Sequence, residues 1–300
     1  MLRYWLEYAP VWLLVKVLGA LPLGGARAVG IAIGRATYYL HRKLRRVGQQ
    51  NLTLALPQLT SEEHRRILKG EFVTLGRQLG DFCHLPRLTR ENVDSVVQYS
   101  GLEHYLAARA RGNGVLFVTA HLGGWEIGSY AHSLYGYPIR IVVRPLDNSP
   151  LDRFVDSYRT RAGNQTFGKQ DFARGLLAAM RAGETVGILM DTNMTPPQGV
   201  FVDFFGTLAC TASGLARVAL RTEAAVVPGF TVWHNEEQLY RIHFEPALEL
   251  AHTGDDEQDV ITNTELFTKA IEAYVRRYPE QWLWVHRRWK TRPSGQPPIY

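Results

Sequence analysis

The chain has 300 residues, 46% of them apolar, so it is neither too short nor too polar to bury a substantial core. A net charge of +6 points to an anionic partner: nucleic acid, or an anionic membrane surface, a phosphorylated glycolipid or an acidic carrier protein. Two cysteines, Cys83 and Cys210, rule out a disulfide framework, and no repeat of solenoid length and no low-complexity segment is present.

Residues 4–23 form an apolar stretch long enough to span a bilayer, but interrupted by Glu7, Pro10 and Lys16. No small-residue cleavage site follows it, so it is not read as a signal peptide. A second apolar stretch, residues 28–40, is broken by Arg35. Tyr4, Trp5, Tyr8 and Trp12 are residue types that favour the membrane interface. Residues 1–50 carry eight Lys or Arg against one acid, Glu7, and four of the eight lie in the Arg42–Arg46 cluster. The Arg42–Arg46 cluster would meet anionic headgroups. Three readings stay open: a membrane-associated helix pair, a single span, or two core-packing helices.

Thr60 or Ser61 followed by Glu62 and Glu63 marks a helix start, and that helix should run to about His84. Pro86 to Arg90 is the expected boundary between a helical region 1–90 and a domain 91–300. Strands are expected at 93–99, 115–119, 139–143, 185–190, 225–233 and 239–246. Helices are expected at 101–111, 124–135, 150–162, 171–182, 211–222 and 257–278. This alternation predicts an α/β fold with a mixed, mostly parallel central sheet flanked by helices.

The most informative stretch is Val115-Leu-Phe-Val-Thr-Ala-His121-Leu-Gly-Gly-Trp-Glu126. A β-branched run ends near a histidine, where α/β folds place their chemistry, and a glycine pair opens a helix. Glu126, in the first turn of that helix, is expected to hold one imidazole nitrogen and leave the other as a general base. The bland alternative is a satisfied strand-end histidine and a solvated glutamate. Arg144 follows the next strand on the same sheet edge, and suits an oxyanion or a phosphate. Asp191 ends a strand on that edge too and is expected to hold Arg144 or an acceptor hydroxyl, with Asn193 beside it. A turn at Gly206 could help bind an acyl group. Each of these also has an ordinary reading as a surface, capping or turn residue.

Gly163-Asn-Gln-Thr-Phe-Gly168-Lys169-Gln170 nearly matches a P-loop, but ends in Gln where Ser or Thr would hold Mg²⁺. There is no G-x-S-x-G elbow and no H-E-x-x-H or other metal-ligand spacing.

His121 and Glu126 fit an H-x4-D/E signature. Val142 to Asn148, Ile188 to Asn193, Val200 to Gly206 with Thr211 to Gly214 and Val226 to Pro228, and Pro279 to Lys290 follow in order. Over roughly residues 115–290 the chain resembles the bacterial lipid A biosynthesis acyltransferases, the HtrB-like group, whose close relatives include the phosphatidylinositol mannoside acyltransferases. Thr192 departs from the pattern, which has Gln there. The resemblance implies O-acyl transfer from acyl carrier protein, or acyl-CoA as co-substrate, to a hydroxyl of a lipid A precursor. It implies no metal or other cofactor, no nucleic acid partner, and action at the cytoplasmic face of the inner membrane. A phosphatidylinositol mannoside or other glycolipid is the alternative acceptor, though Glu126, where those enzymes tend to have Asp, favours lipid A. A non-catalytic lipid-binding protein is the alternative of a different class. Phe204 and Phe205 would shape the site wall, and Arg287, Arg288 and Lys290 would meet lipid phosphates.

Overall fold

The computed structural model describes residues 2–168 and 172–300. Lys169 and Gln170, which close the P-loop-like segment, and residue 171, where a helix was expected to begin, lie outside the described residues.

Four helices come first: α1 (Leu2–Ala20), α2 (Leu23–Leu40), α3 (Arg42–Ala55) and α4 (Ser61–His84). The expected start of α4 is present as a capping box. Thr60 Oγ1 accepts from Glu63 N at 3.2 Å, and Glu63 Oε2 accepts from Thr60 N at 2.7 Å. Glycines bring α2 and α4 into backbone contact, since a Cβ at Gly30 would lie 2.1 Å from Gly76 O, and one at Gly34 2.1 Å from Phe72 O. One face of α2 is therefore committed to α4. Among the described residues, no helix is long and apolar enough to cross a membrane. The Arg42–Arg46 cluster, expected to trail an apolar segment, forms the first turn of α3.

The remainder runs β1 (Val97–Ser100), α5 (Leu102–Arg109), β2 (Val115–Thr119), α6 (Trp125–Leu134), β3 (Arg140–Val143), α7 (Ser149–Arg159), β4 (Gln165–Gly168), α8 (Phe172–Arg181) and β5 (Thr185–Leu189). Then come β6 (Gly199–Phe204), β7 (Thr207–Ala212), α9 (Gly214–Thr222), β8 (Ala225–His234), β9 (Leu239–Phe244) and α10 (Asp256–Arg277). A seven-stranded sheet is ordered β1-β9-β8-β2-β5-β3-β4, with β6 and β7 as a separate hairpin. Every pairing in the large sheet is parallel except β8 with β9. The mixed, mostly parallel sheet is thus present.

Alternate residues of β2 feed two cores. Leu116 and Val118 join one with Leu176, Leu215 and Phe267, whereas Val115 and Phe117 join the other with Tyr105 and Ile127. Helices therefore cover both faces, which explains why β2 reads as an unbroken apolar run. Leu52, Ile67 and Phe72 of the first four helices belong to the same core as Leu116.

Three local expectations differ. Residues 93–95 form a 3-10 turn before β1. β4 was not foreseen: Gln165-Thr-Phe-Gly168 lies within the glycine-flanked segment that nearly matches a P-loop, and no strand was expected there. The helix expected from 211 begins at Gly214, since Thr211 and Ala212 complete β7 against Val200 and Gly199.

Candidate active site

β2 and β5 are neighbours, with Thr119 opposite Leu189. Two residues beyond each strand end, the same register brings His121 opposite Asp191. His121 donates its backbone N–H to Asp191 Oδ2 at 2.9 Å, and its Nδ1 lies 2.8 Å from Oδ1. Trp282 Nε1 donates to Oδ2 at 2.8 Å. The carboxylate accepts at both oxygens, so the proton of a neutral His121 belongs on Nδ1, and Nε2 keeps its lone pair. Asp191 retains 2% of its side-chain surface, His121 22%, so the ring has one open side. Burial works against charge on either group. The Coulombic attraction and hydrogen bonds between them prevail, raising the His121 pKa and lowering that of Asp191.

Glu126 is where the structure corrects the sequence reading: it does not hold the imidazole. Its carboxylate receives Arg159 Nε at 2.9 and 3.1 Å, and also Arg159 Nη2. The first turn of α6 aims Glu126 at the last turn of α7, while the neighbouring strand delivers Asp191 to His121. Glu126 still acts on His121 through its charge, in the direction that favours imidazolium.

The other expected residues scatter. Arg144 follows β3 at the cavity rim, 77% exposed, 4.0 Å from Asp147 and not held by Asp191. Asp191 is occupied by His121 and Trp282. Asn193 borders the cavity, but its side chain bonds Thr291, donating to Oγ1 at 3.0 Å and accepting from N at 2.8 Å. Gly206 sits at the β6–β7 turn with φ +76°, outside the cavity lining. Phe204 and Phe205 pack in the core with Trp282, Trp284 and Trp289. Arg288 cannot meet a lipid phosphate, because it is fully buried and donates to Cys210 O and Thr211 Oγ1.

The C-terminal tail contributes more than expected. Leu283 N donates to His121 O at 3.1 Å, and Leu122 bridges to Trp282. His286 Nε2 accepts from Asn193 N at 3.1 Å. Arg159, Trp282 and His286 were not singled out as site residues. The tail motif pointed toward the last two, but only the strand order shows where the tail lands.

A cavity of about 810 Å³ opens at His121. Its lining includes Ile139, Ile141 and Gly187, Gly128 and His132 of α6, and the buried Phe117, Ile242 and Phe244. Arg144 and Arg217 border it as well. Apolar walls of this kind suit an alkyl chain, and the imidazole at the opening suits proton transfer from an attacking group. Among the described residues no three His, Cys, Asp or Glu side chains converge as a metal site.

A profile of the family described as bacterial lipid A biosynthesis acyltransferase matches residues 1–291. A lipid A biosynthesis acyltransferase of Haemophilus influenzae is 27% identical over 293 residues, covering 97% of this chain and 86% of its own length. The lipid A biosynthesis lauroyltransferase and palmitoleoyltransferase of Escherichia coli are each 26% identical over 302 residues, covering 99% of this chain and 95% of their own lengths.

Proposed function

The chain belongs to the bacterial lipid A biosynthesis acyltransferase family and is an O-acyltransferase, and on that premise we propose that it moves a fatty acyl chain from a thioester donor to a hydroxyl of a lipid A precursor. The observation that carries the mechanism is the His121–Asp191 pair at the mouth of an apolar cavity. An alcohol is a weak nucleophile at neutral pH, so a positioned base accelerates its attack. His121 Nε2 takes the hydroxyl proton as the oxygen attacks the thioester carbonyl. Asp191 fixes the tautomer and stabilises the imidazolium. Collapse breaks the C–S bond, and the departing sulfur takes the proton back from Nε2. Glu126 supports the imidazolium by its charge and fixes Arg159 against the cavity wall. The donor chain lies along Ile141 and Gly187 toward Phe117 and Phe244.

The donor is acyl carrier protein, with acyl-CoA as the other thioester of the same chemistry; a basic chain suits an acidic carrier. The enzyme works at the cytoplasmic face of the inner membrane. The support for that placement is the set of apolar side chains that α1 and α2 leave uncovered, including Trp5, Leu6, Leu13, Tyr39 and Leu40. In this reading residues 1–90 carry the membrane contact and residues 91–300 the chemistry.

The test offers a tetra-acylated lipid A precursor and an acyl carrier protein thioester to membranes containing wild-type or His121→Ala protein, and reads product mass. A gain of one acyl mass that disappears in the variant supports the reaction and the base. Transfer that survives in His121→Ala overturns the mechanism, and transfer only to a mannosylated phospholipid changes the acceptor.

A further inference from the structure

The segment Asp191-Thr192-Asn193 ties down two histidines, and it does so with partners of opposite polarity. At its first residue a carboxylate accepts from His121 Nδ1. At its third residue a backbone N–H donates to His286 Nε2. An acceptor fixes a proton on the nitrogen it meets, while a donor fixes a lone pair there. The two rings are therefore held in complementary states. His121 carries its proton on Nδ1 and offers a lone pair at Nε2. His286 has its lone pair committed at Nε2 and, when neutral, carries its proton on Nδ1. Both rings border the same cavity. Nδ1 of His286 has no acceptor among the described residues, and it is not one of the buried atoms left without a partner.

We propose that the Nδ1–H of His286 donates the hydrogen bond that receives the oxyanion of the tetrahedral intermediate, an inference that rests on the thioester-to-hydroxyl transfer proposed above. As the hydroxyl oxygen bonds to the carbonyl carbon, its proton passes to His121 Nε2. The carbonyl π pair moves onto oxygen, which accepts from His286 without taking its proton. When the C–S bond breaks, that pair returns to restore the carbonyl of the new ester, and the sulfur leaves with the proton from His121.

Three observations favour this assignment. The first is rigidity. His286 O accepts from Asn51 Nδ2 at 2.7 Å, His286 N donates to Leu283 O at 3.2 Å, and Leu283 N donates to His121 O at 3.1 Å. Asn193 is held in turn by Thr291. A donor fixed before reaction needs no reorganisation as charge develops. The second is charge state. Burial, with His121 and Arg288 nearby, lowers the His286 pKa against the opposing pull of Asp191, so the ring stays neutral and keeps its tautomer. The third is that the nearby cations are otherwise engaged. Arg288 is spent on Cys210, Thr192 and Thr211, Arg159 on Glu126, and Arg144 lies at the exposed rim.

Two near-isosteres separate donation from scaffolding. The amide nitrogen of Asn can stand where Nδ1 stands in His. The amide of Gln reaches the place of Nε2, where its oxygen can still accept from Asn193 N. Steady-state transfer from an acyl carrier protein thioester to the tetra-acylated acceptor is measured for wild type, His286→Ala, His286→Asn and His286→Gln, with melting temperatures alongside. The expected result is a kcat loss of about 10²- to 10³-fold for Ala and for Gln, with KM little changed. Asn should recover to within about tenfold of wild type, because it restores the donor. The reverse order, with Gln active and Asn inactive, would make His286 a tether for Asn193 and overturn the proposal. Wild-type rates in His286→Ala would overturn it too. If wild-type protein transfers nothing to this acceptor, the reaction reading fails first, and that failure is distinct from any ranking of the variants.

Discussion

Asp191 holds His121 at two points, the backbone N–H and Nδ1, at 2.9 and 2.8 Å, so that one carboxylate fixes both the position and the tautomer of the ring. This pairing depends on the β2–β5 register and not on the H-x4-E spacing that draws the eye in the sequence.

Asp191→Asn and Glu126→Gln should therefore behave differently. A general base must be neutral, so activity falls as pH drops through the His121 pKa. Asp191 is the main support for the raised value, ahead of Glu126. Removing its charge should lower kcat/KM by about 10²- to 10⁴-fold and move the acidic limb of the pH profile to lower pH. Glu126→Gln should move that limb in the same direction by less. A larger displacement in Glu126→Gln than in Asp191→Asn, read from full pH profiles, would return the orienting role to Glu126.

How much of this was legible follows from which contacts are local. The apolar run 115–119, the glycine pair and the start of α4 are encoded by neighbouring residues, and the sequence locates them to within a residue or so. The positions of His121 and Asp191 at strand ends were legible for the same reason. Their pairing was not, because strand order is set by how helices pack on both faces of the sheet, and the alternation of apolar residues does not encode it. Glu126 looked like the partner because it is close in sequence, yet the helix axis carries it to Arg159. Arg288 looked like a surface cation in a basic tail, and the two backbone carbonyls and the hydroxyl that bury it come from the β6–β7 region and the segment after β5.

Gly187 sits on β5 opposite Phe117 and Ile141, at the cavity wall. A Cβ there meets only the flexible end of Ile139, at 3.3 Å, so a larger side chain would grow into the cavity. Gly187→Val should turn the enzyme toward shorter donors. Each methylene that loses its place forfeits about 0.8 kcal/mol, or about fourfold in kcat/KM. Competition between thioesters of graded length, read by product mass, checks this. An unchanged length preference would place the acyl chain elsewhere.

Leu6 is 68% exposed and Leu40 82%, on helices whose other residues reach the core. Burying one such side chain in a bilayer interface is worth about 1.5–3 kcal/mol, so replacing two by Glu should weaken binding to anionic vesicles by well over about 100-fold. Leu6→Glu/Leu13→Glu protein should fail to co-sediment with vesicles and still acylate a detergent-dispersed acceptor. Wild-type sedimentation of this variant would move the membrane contact off α1.

Glu71 is buried in α4, and its Oε1 accepts from Val285 N at 3.0 Å, one residue before His286. Burial pushes its pKa well above the usual carboxylate range, overcoming the hydrogen bonds that lower it. A group whose folded pKa exceeds its unfolded value contributes its full stability below the unfolded pKa, and loses it as pH rises through the folded one. Glu71→Gln keeps the acceptor without the ionisable proton. Its melting temperature relative to wild type should therefore climb as pH is raised from about 5 to about 8. Glu71→Ala leaves the Val285 N–H without its partner and should cost about 1–3 kcal/mol near pH 5, a deficit that narrows as pH rises because only wild type carries the ionisable group. A constant offset between Glu71→Gln and wild type over the same range would mean that Glu71 is equally charged in the folded and unfolded chains. Because the same carboxyl fixes the tail that carries Trp282 and His286, the Ala variant should also lose kcat, whereas the Gln variant should keep it.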